Sequence, residues 1–309
     1  MITPAKWQAK TDGKPKGSKT ADKNEQFRKD IVPYMQDIVF YRDTHEIFDI
    51  DDNAGISYYI LRNNVRHTRN VITMCAKNKV LESHKTIHDE LVPILLPRNI
   101  LSIIGKVGTL GEGFKQSLYV KNTDHGETSI ADTLGFKRQV FVGEQDRGEA
   151  LKQLGYVEVM QGEKVSGYKK KSELFTDLNL DKWKCICSIM IGGAVIFGDT
   201  TELRDAKVIG SPKVHKIAPN QVPKGSFPVL RYFESSLECD SFISYIETKL
   251  MSFLFYLGVC GATLTKEFFR FIPDQVNYDH IFTDQELYEK YNLTEEEINI
   301  IESVIKERK

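Results

Sequence analysis

Residues 241–257, with the sequence SFISYIETKLMSFLFYL, carry the clearest structural pattern in this chain of 309 residues. Phe242, Ile246, Leu250, Phe253 and Leu257 recur at steps of four and three residues, which places their side chains on one face of an α-helix. We therefore expect a helix whose apolar face packs on the core of the protein.

Helix start motifs follow toward the C-terminus. Thr283 with Glu286, and Thr294 with Glu297, fit the capping box, in which a hydroxyl and a carboxylate each accept a hydrogen bond from the other residue's backbone amide. The second motif predicts a final helix over residues 295–307, with three isoleucines on one side: Ile298, Ile301 and Ile305. Residues 236–309 are thus expected to form a C-terminal helical segment.

Upstream of these helices, glycine and proline residues separate short apolar runs that are typical of strands. Residues 156–160 and 166–170 predict a hairpin that is joined through Gln161, Gly162 and Glu163. Further strands are predicted over residues 139–142, 182–191 and 227–233. The last two are separated by a loop-rich stretch with three prolines: Pro212, Pro219 and Pro223.

The N-terminal part combines loop, strand and helix patterns. Residues 10–23, rich in Lys, Gly, Ser and Thr, predict a loop or linker. Residues 27–40 change from helical to strand-like apolar spacing, and residues 54–61 predict a buried strand. Residues 82–106 are predicted to be helical, with Asn99 as a candidate cap. The expected fold class is therefore α/β, in a mixed α+β form.

Composition excludes several classes of protein. No apolar run approaches the roughly 20 residues that cross a bilayer, and no secretory signal pattern opens the chain. Five scattered cysteines do not make a disulfide framework. Cys185 and Cys187 alternate within an apolar run, which favours a strand over a metal site. We expect a cytoplasmic protein with no membrane partner.

The net charge of −1 conceals a gradient along the chain. Residues 1–30 hold eight Lys and Arg against four acids, and residues 204–231 hold six against one. Residues 274–309 hold ten acids against four Lys and Arg. A polyanion such as DNA is therefore expected to contact the middle of the chain rather than its C-terminal part.

Two lysine-containing motifs are candidate DNA contacts. The glycine cluster of residues 105–113 lacks the spacing of a P-loop, so it is either a connector or a phosphate-contacting loop that acts with Lys106 or Lys115. Residues 162–171 combine a hairpin tip with lysines and Tyr168. They form either a lysine-protected strand edge or a β-ribbon that presents charge and a tyrosine to a DNA groove.

Other candidate sites are less specific. Asp199, Asp205 and Lys207 have the outline of a metal-dependent nuclease site. His84 and His88 stand four residues apart, but the glutamate of a zinc-binding HExxH motif is missing, which favours a surface pair.

The C-terminal quarter carries a family resemblance. Its segments FRFIP, FTDQELYEKY, LTEEEI and IES, at residues 269–273, 282–291, 293–298 and 301–303, resemble the end of adenine-specific DNA methyltransferases of type II restriction–modification systems. Upstream, FISYIETK at 242–249 is similar to the helix that precedes this segment in the family. Near the start, ITPAKW at 2–7, the basic insert, FR at 27–28 and GISYY at 55–59 also match. The resemblance is weakest over residues 105–230, where the family varies with its DNA target.

The chain departs from the family in its catalytic motifs. It contains neither the glycine-rich turn for S-adenosylmethionine nor the Asn-Pro-Pro-Tyr loop that holds a flipped adenine. The resemblance therefore implies a fragment, a split subunit or a remnant, with no catalytic or cofactor-binding residue of its own. S-adenosylmethionine is implied for the complete enzyme only.

These patterns lead to one division of the chain and one expected function. Residues 1–80 are expected to be the end of a methyltransferase-like α/β sheet, 81–235 a target-recognition region, and 236–309 the helical closing segment. The expected function is recognition of double-stranded DNA for adenine N6 methylation. Ten lysines are the candidate DNA contacts: Lys106, Lys115, Lys164, Lys169, Lys170, Lys171, Lys207, Lys213, Lys216 and Lys224.

Two other functions stay open at the level of sequence. The chain is alternatively the endonuclease of the same system, cutting DNA with a divalent metal held by Asp199 and Asp205 beside Lys207. It is otherwise a non-catalytic assembly subunit whose acidic C-terminal part binds a separate methyltransferase half or a restriction subunit.

Overall fold

The protein has mixed α and β structure. Its computed structural model describes residues 2–4, 26–27, 30–41, 56–62, 69–76, 79–87, 98–107, 152, 154–174, 179–190, 210–259, 264, 266–269, 271–275 and 277–307. Eleven strands and five α-helices lie complete within these ranges, and residues 26–27 and 30–31 are also helical. No helix of the described ranges is long and apolar enough to cross a membrane.

Five strands form an N-terminal sheet. They are β1 (Ile2–Pro4), β2 (Met35–Tyr41), β3 (Ile56–Leu61), β4 (Arg69–Ala76) and β5 (Lys79–Ile87), in the order β1-β3-β2-β4-β5. β2 and β4 run parallel, whereas the other neighbours are antiparallel. The predicted strand over 54–61 is confirmed at β3, but Tyr58 and Ile60 on one face are exposed.

The helix predicted over residues 82–106 is wrong for its first part. Residues up to Ile87 belong to β5, and α1 (Arg98–Val107) begins only after them. β5 pairs with β4 along its whole length, and Val80, Thr86 and Ile87 are β-branched residues that favour strands. β4 and β5 form a hairpin, in which Ala76 lies opposite Lys79, but the polar run at residues 82–85 has no apolar alternation to mark it as a strand. His84 lies in β5, so it does not belong to a helical pair.

The middle of the chain forms two three-stranded sheets. The hairpin sheet contains β6 (Tyr156–Gln161), β7 (Lys164–Lys170) and β10 (Gln221–Pro223), in the order β10-β6-β7. The helix-facing sheet contains β8 (Trp183–Cys187), β9 (Val214–Ile217) and β11 (Val229–Phe233), in the order β11-β8-β9. Met160 of the first sheet packs on Ile186, Ile217 and Val229 of the second.

The predicted hairpin is confirmed. β6 and β7 pair antiparallel, with Gln161 opposite Lys164 at the tip and Tyr156 opposite Lys170 at the base. Gly162 in the turn has a φ of +60°, a conformation that side chains with a Cβ rarely adopt. The predicted strands over 182–191 and 227–233 are likewise confirmed, as β8 and β11.

The α-helices supply half of the residues in the main hydrophobic core. The stretch predicted as one helix forms two, α2 (Ser236–Glu247) and α3 (Lys249–Gly258), which meet at Thr248. The Thr248 hydroxyl accepts a hydrogen bond from the Met251 amide and so caps α3. All five residues of the predicted apolar stripe are nevertheless buried. The apolar face therefore continues through the break.

The last two helices are α4 (Asp284–Lys290) and α5 (Glu295–Val304). The capping box of Thr294 and Glu297 is confirmed. At α4, the Thr283 hydroxyl accepts from the Glu286 amide, while the Glu286 carboxylate contacts His280 instead. Both helices pack on α3, which places residues of the acidic C-terminal part on the main core.

Candidate nucleic-acid interface

The hairpin sheet carries most of the described candidate lysines. Lys164 and Lys170 begin and end β7, so they lie about 20 Å apart at roughly 3.4 Å per strand residue. Lys171 follows Lys170, and Lys224 comes directly after β10. The pairing of β10 with β6 brings Lys224 to the tip, where its ammonium donates to the Gln161 side chain at 3.0 Å.

Four of these lysines form no ion pair with another described residue. Lys164 and Lys170 are exposed, while Lys171 donates to Asn220 Oδ1 at 2.9 Å and Lys224 to Gln161. Asn220 and Gln161 are neutral, so their hydrogen bonds position the ammonium groups without cancelling the charge. We call Lys164, Lys170, Lys171 and Lys224 the unpaired lysines.

The neighbouring lysines are paired with carboxylates beside the hairpin sheet. Lys169 lies 2.6 Å from Glu173, and Lys213 of the segment before β9 lies 3.4 Å from Glu163. Two of the ten candidate lysines thus have an acidic partner beside the hairpin. Their ion pairs are largely exposed, so each contributes little to stability but lowers the local positive potential.

Two further candidate lysines are tied to the helices. The Lys216 ammonium lies 2.6 Å from Asp240, 2.8 Å from the Ser236 hydroxyl and 5.7 Å from the centre of the Trp183 ring. The Lys106 ammonium lies 2.6 Å from Glu297. These contacts link β9 to α2 and α1 to α5.

The hairpin tip is fixed to β9. Glu163 Oε1 lies 3.2 Å from His215 Nδ1, and a Cβ at Gly162 would lie 3.2 Å from the His215 ring. The hydrogen bond with His215, together with that from Lys213, lowers the pKa of Glu163. The tip is therefore joined to β9 and to the residue that precedes this strand. Tyr168 is buried, so it supports the hairpin and does not project toward a groove.

Several candidate residues lie outside the described ranges: Lys115, Lys207, Asp199, Asp205, His88, the strand over 139–142 and most of the glycine cluster. Of that cluster, residues 105–107 end α1. Cys185, Cys187 and Cys239 are buried free thiols, and burial raises the pKa of Cys187. Among the described residues, no group of three or more His, Cys, Asp or Glu side chains is placed to hold a metal ion.

The sequence interpretation missed two cationic residues. Lys184 in β8 is completely buried, and its ammonium donates to the Lys182 carbonyl at 2.7 Å. Arg231 in β11 lines a cleft of about 630 Å³. The position of Lys184 within the apolar run of β8 already indicated a buried lysine. The role of Arg231 depends on contacts between segments more than 40 residues apart, which sequence spacing does not reveal.

Comparison with family models and with curated proteins gives no match to this chain. The resemblance to adenine-specific methyltransferases therefore rests on the quoted sequence segments.

Proposed function

We propose that this chain binds double-stranded DNA and recognises the target for adenine N6 methylation in a restriction–modification system. The methyl transfer itself, with S-adenosylmethionine, takes place on sequence that this chain lacks. In this proposal the N-terminal sheet is the end of a methyltransferase-like α/β domain. The protein acts in the cytoplasm, beside a separate methyltransferase half or restriction subunit.

The observation that carries the proposal is the set of unpaired lysines on one small sheet. An ammonium group that is already paired gains little from a phosphate, because it must give up its carboxylate first. Among the described residues, Lys164 and Lys171 have no carboxylate within ion-pair distance, and Lys170 acts on Glu173 only at longer range. Their spread of about 20 Å matches the axial rise of roughly six base pairs.

The shape of this region also suits DNA. The β6–β7 hairpin, whose strand β7 is at the edge of the three-stranded sheet, is of a kind that fits the major groove, which is about 12 Å wide. The hydrogen bond between Glu163 and His215 joins the hairpin tip to β9, which favours one orientation of the ribbon. The endonuclease alternative depends on Asp199, Asp205 and Lys207, which lie outside the described residues.

We expect removal of the unpaired lysines to weaken DNA binding equally for all sequences. In B-DNA, the slope of log K against log salt changes by about 0.9 for each phosphate contact. The double variants Lys164→Gln/Lys224→Gln and Lys170→Gln/Lys171→Gln should each reduce the slope by about 2, and the combination by about 3 to 4. Fluorescence anisotropy with a labelled duplex over a salt series measures this slope.

The matched control is Lys290→Gln/Lys306→Gln, which removes the same charge from α4 and from the end of the acidic helical segment. This control should keep the wild-type slope, and circular dichroism verifies that all variants fold. A combined variant that retains the wild-type slope would rule out the hairpin sheet as the DNA-binding surface.

A further inference from the structure

A cleft of about 630 Å³ lies between the end of β11, the start of α2 and residues 277–279. This volume falls within the range of small-ligand sites, roughly 300–1,000 Å³. Its wall includes Arg231, Phe233 and Tyr278, and Leu237 at its margin is 58% exposed. The cleft thus combines one guanidinium group with apolar and aromatic surface.

Arg231 is held in a fixed orientation within this cleft. Its Nη1 donates to Asp274 Oδ1 at 2.5 Å, and the same oxygen accepts from the Tyr278 hydroxyl at 2.8 Å. The guanidinium carbon lies 5.0 Å from the centre of the Tyr278 ring and 5.7 Å from that of Phe233. Among the described residues, the hydrogen bond of the Arg231 guanidinium group uses only Nη1. A quarter of the Arg231 side chain is exposed. The other N–H groups are available to a ligand in the cleft.

The charges around Arg231 favour an uncharged ligand over a phosphate. Asp274 neutralises Arg231, and Glu234 likewise pairs with Lys182. Glu238 and Asp279 add two more carboxylates to the cleft or its margin. A phosphate would enter against this excess of negative charge, whereas a neutral group with hydrogen-bond acceptors would not.

The cleft adjoins the surface of the unpaired lysines. Asn179 lines the cleft, and the carbonyl of the next residue, Leu180, accepts a hydrogen bond from the Asn220 amide at 2.7 Å. The side chain of Asn220 in turn accepts from Lys171 at 2.9 Å. Hydrogen bonds through Asn220 and Leu180 therefore connect Lys171 to the wall of the cleft at Asn179.

We propose that Arg231 recognises a guanine of the DNA target, an inference that rests on the DNA-binding function proposed above. The O6 and N7 atoms of guanine are adjacent acceptors on its major-groove edge, and an arginine contacts both with two N–H groups. Because one carboxylate and two aromatic rings already fix Arg231, the contact orders no flexible side chain. Lysine, a single rotating donor group, does not reproduce this bidentate geometry.

The test starts with a pool of duplexes that are randomised over about ten base pairs and selected for binding at low salt. The wild-type protein should enrich sequences with a guanine at one position, and Arg231→Lys should lose that enrichment. Replacing this guanine with 7-deazaguanine should weaken wild-type binding roughly tenfold or more, and should not weaken binding by Arg231→Lys. The variant keeps its charge, so its salt slope should equal that of the wild type.

Arg62→Lys, at an exposed arginine after β3, is the matched control and should keep the wild-type enrichment. Arg231→Gln serves as a second variant, and thermal unfolding verifies that both Arg231 variants fold. Binding without any sequence preference, or with a preference that Arg231→Lys retains, overturns the assignment of Arg231 while DNA binding stands. Absence of binding to the whole pool at low salt overturns the proposed function as well.

Discussion

Replacing Lys184 with methionine should make the protein more stable, by about 2 kcal/mol at pH 7. Lys184 is completely buried between Ile217 of β9 and Tyr232 of β11, and its described hydrogen bond is to the Lys182 carbonyl. Burial lowers the pKa of Lys184 from its usual value of 10.5 to about 8. A shift of this size corresponds to about 3 kcal/mol against the charged form, and the Lys182 carbonyl that loses its donor offsets part of the gain.

The pH dependence of the stability difference distinguishes the cost of burying the Lys184 charge from an effect of better packing by methionine. Below pH 8 the ammonium is charged in both states, so the folded protein carries the full cost of burying it. Between pH 8 and 10.5 the folded protein releases the proton while the unfolded chain retains it, so the stability of the wild type rises with pH. The advantage of Lys184→Met should therefore shrink across this window.

Urea unfolding of both proteins at several pH values measures this difference. Lys182→Met is the matched control, because Lys182 lies two residues away and its ion pair with Glu234 is exposed. The control should change stability by no more than about 0.5 kcal/mol. Lower stability of Lys184→Met at pH 7, or an advantage that stays constant up to pH 10.5, would refute the buried-charge explanation.

Glu297→Ala should lower the free energy of unfolding by about 2 to 3 kcal/mol. The Glu297 carboxylate is buried and accepts hydrogen bonds from Lys106 at 2.6 Å, Ser102 at 2.7 Å and the Thr294 amide at 2.8 Å. Burial acts to raise the pKa of Glu297, but these hydrogen bonds and the charge of Lys106 together hold it below its usual value. The stabilising effect of the ionised Glu297 carboxylate is therefore lost as the pH falls through that lowered pKa.

A double-mutant cycle with Lys106→Met isolates the pair from the cap. We expect a coupling energy of about 1 to 2 kcal/mol between Lys106 and Glu297 in urea unfolding. Glu302→Gln, which breaks the more exposed pair with Lys249, should cost less than about 1 kcal/mol. Additive effects of Lys106→Met and Glu297→Ala would contradict the stabilising pair and leave Lys106, within the glycine cluster, without this competing carboxylate.

Local sequence patterns predicted the elements whose defining interactions join residues close together in the sequence. The β6–β7 hairpin follows from alternation around Gly162, and the start of α5 follows from Thr294 and Glu297. The start of α1 did not follow, because residues 82–85 of the β4–β5 hairpin are all polar and show no strand alternation. The break between α2 and α3 at Thr248 was hidden because the apolar stripe continues across it.

The candidate site was predictable as a set of charges but not as a surface. Lys106 and Glu297 stand 191 residues apart, and the partners of Lys216 are also distant in sequence. A lysine's availability to DNA depends on such partners, so only folding separates Lys216, which is paired with Asp240, from Lys224, whose partner Gln161 is neutral. For the same reason, Arg231 becomes a candidate only when Asp274 and Tyr278 are placed around it.

The most direct test of DNA binding by the unpaired lysines is amine-reactive labelling with and without duplex DNA at low salt, followed by mass spectrometry of each lysine. We predict that DNA protects Lys164, Lys170, Lys171 and Lys224, while Lys306 on the acidic helical segment labels equally in both samples. Unchanged labelling of these four lysines under conditions where DNA is bound would contradict the account, as would a failure to bind DNA at all.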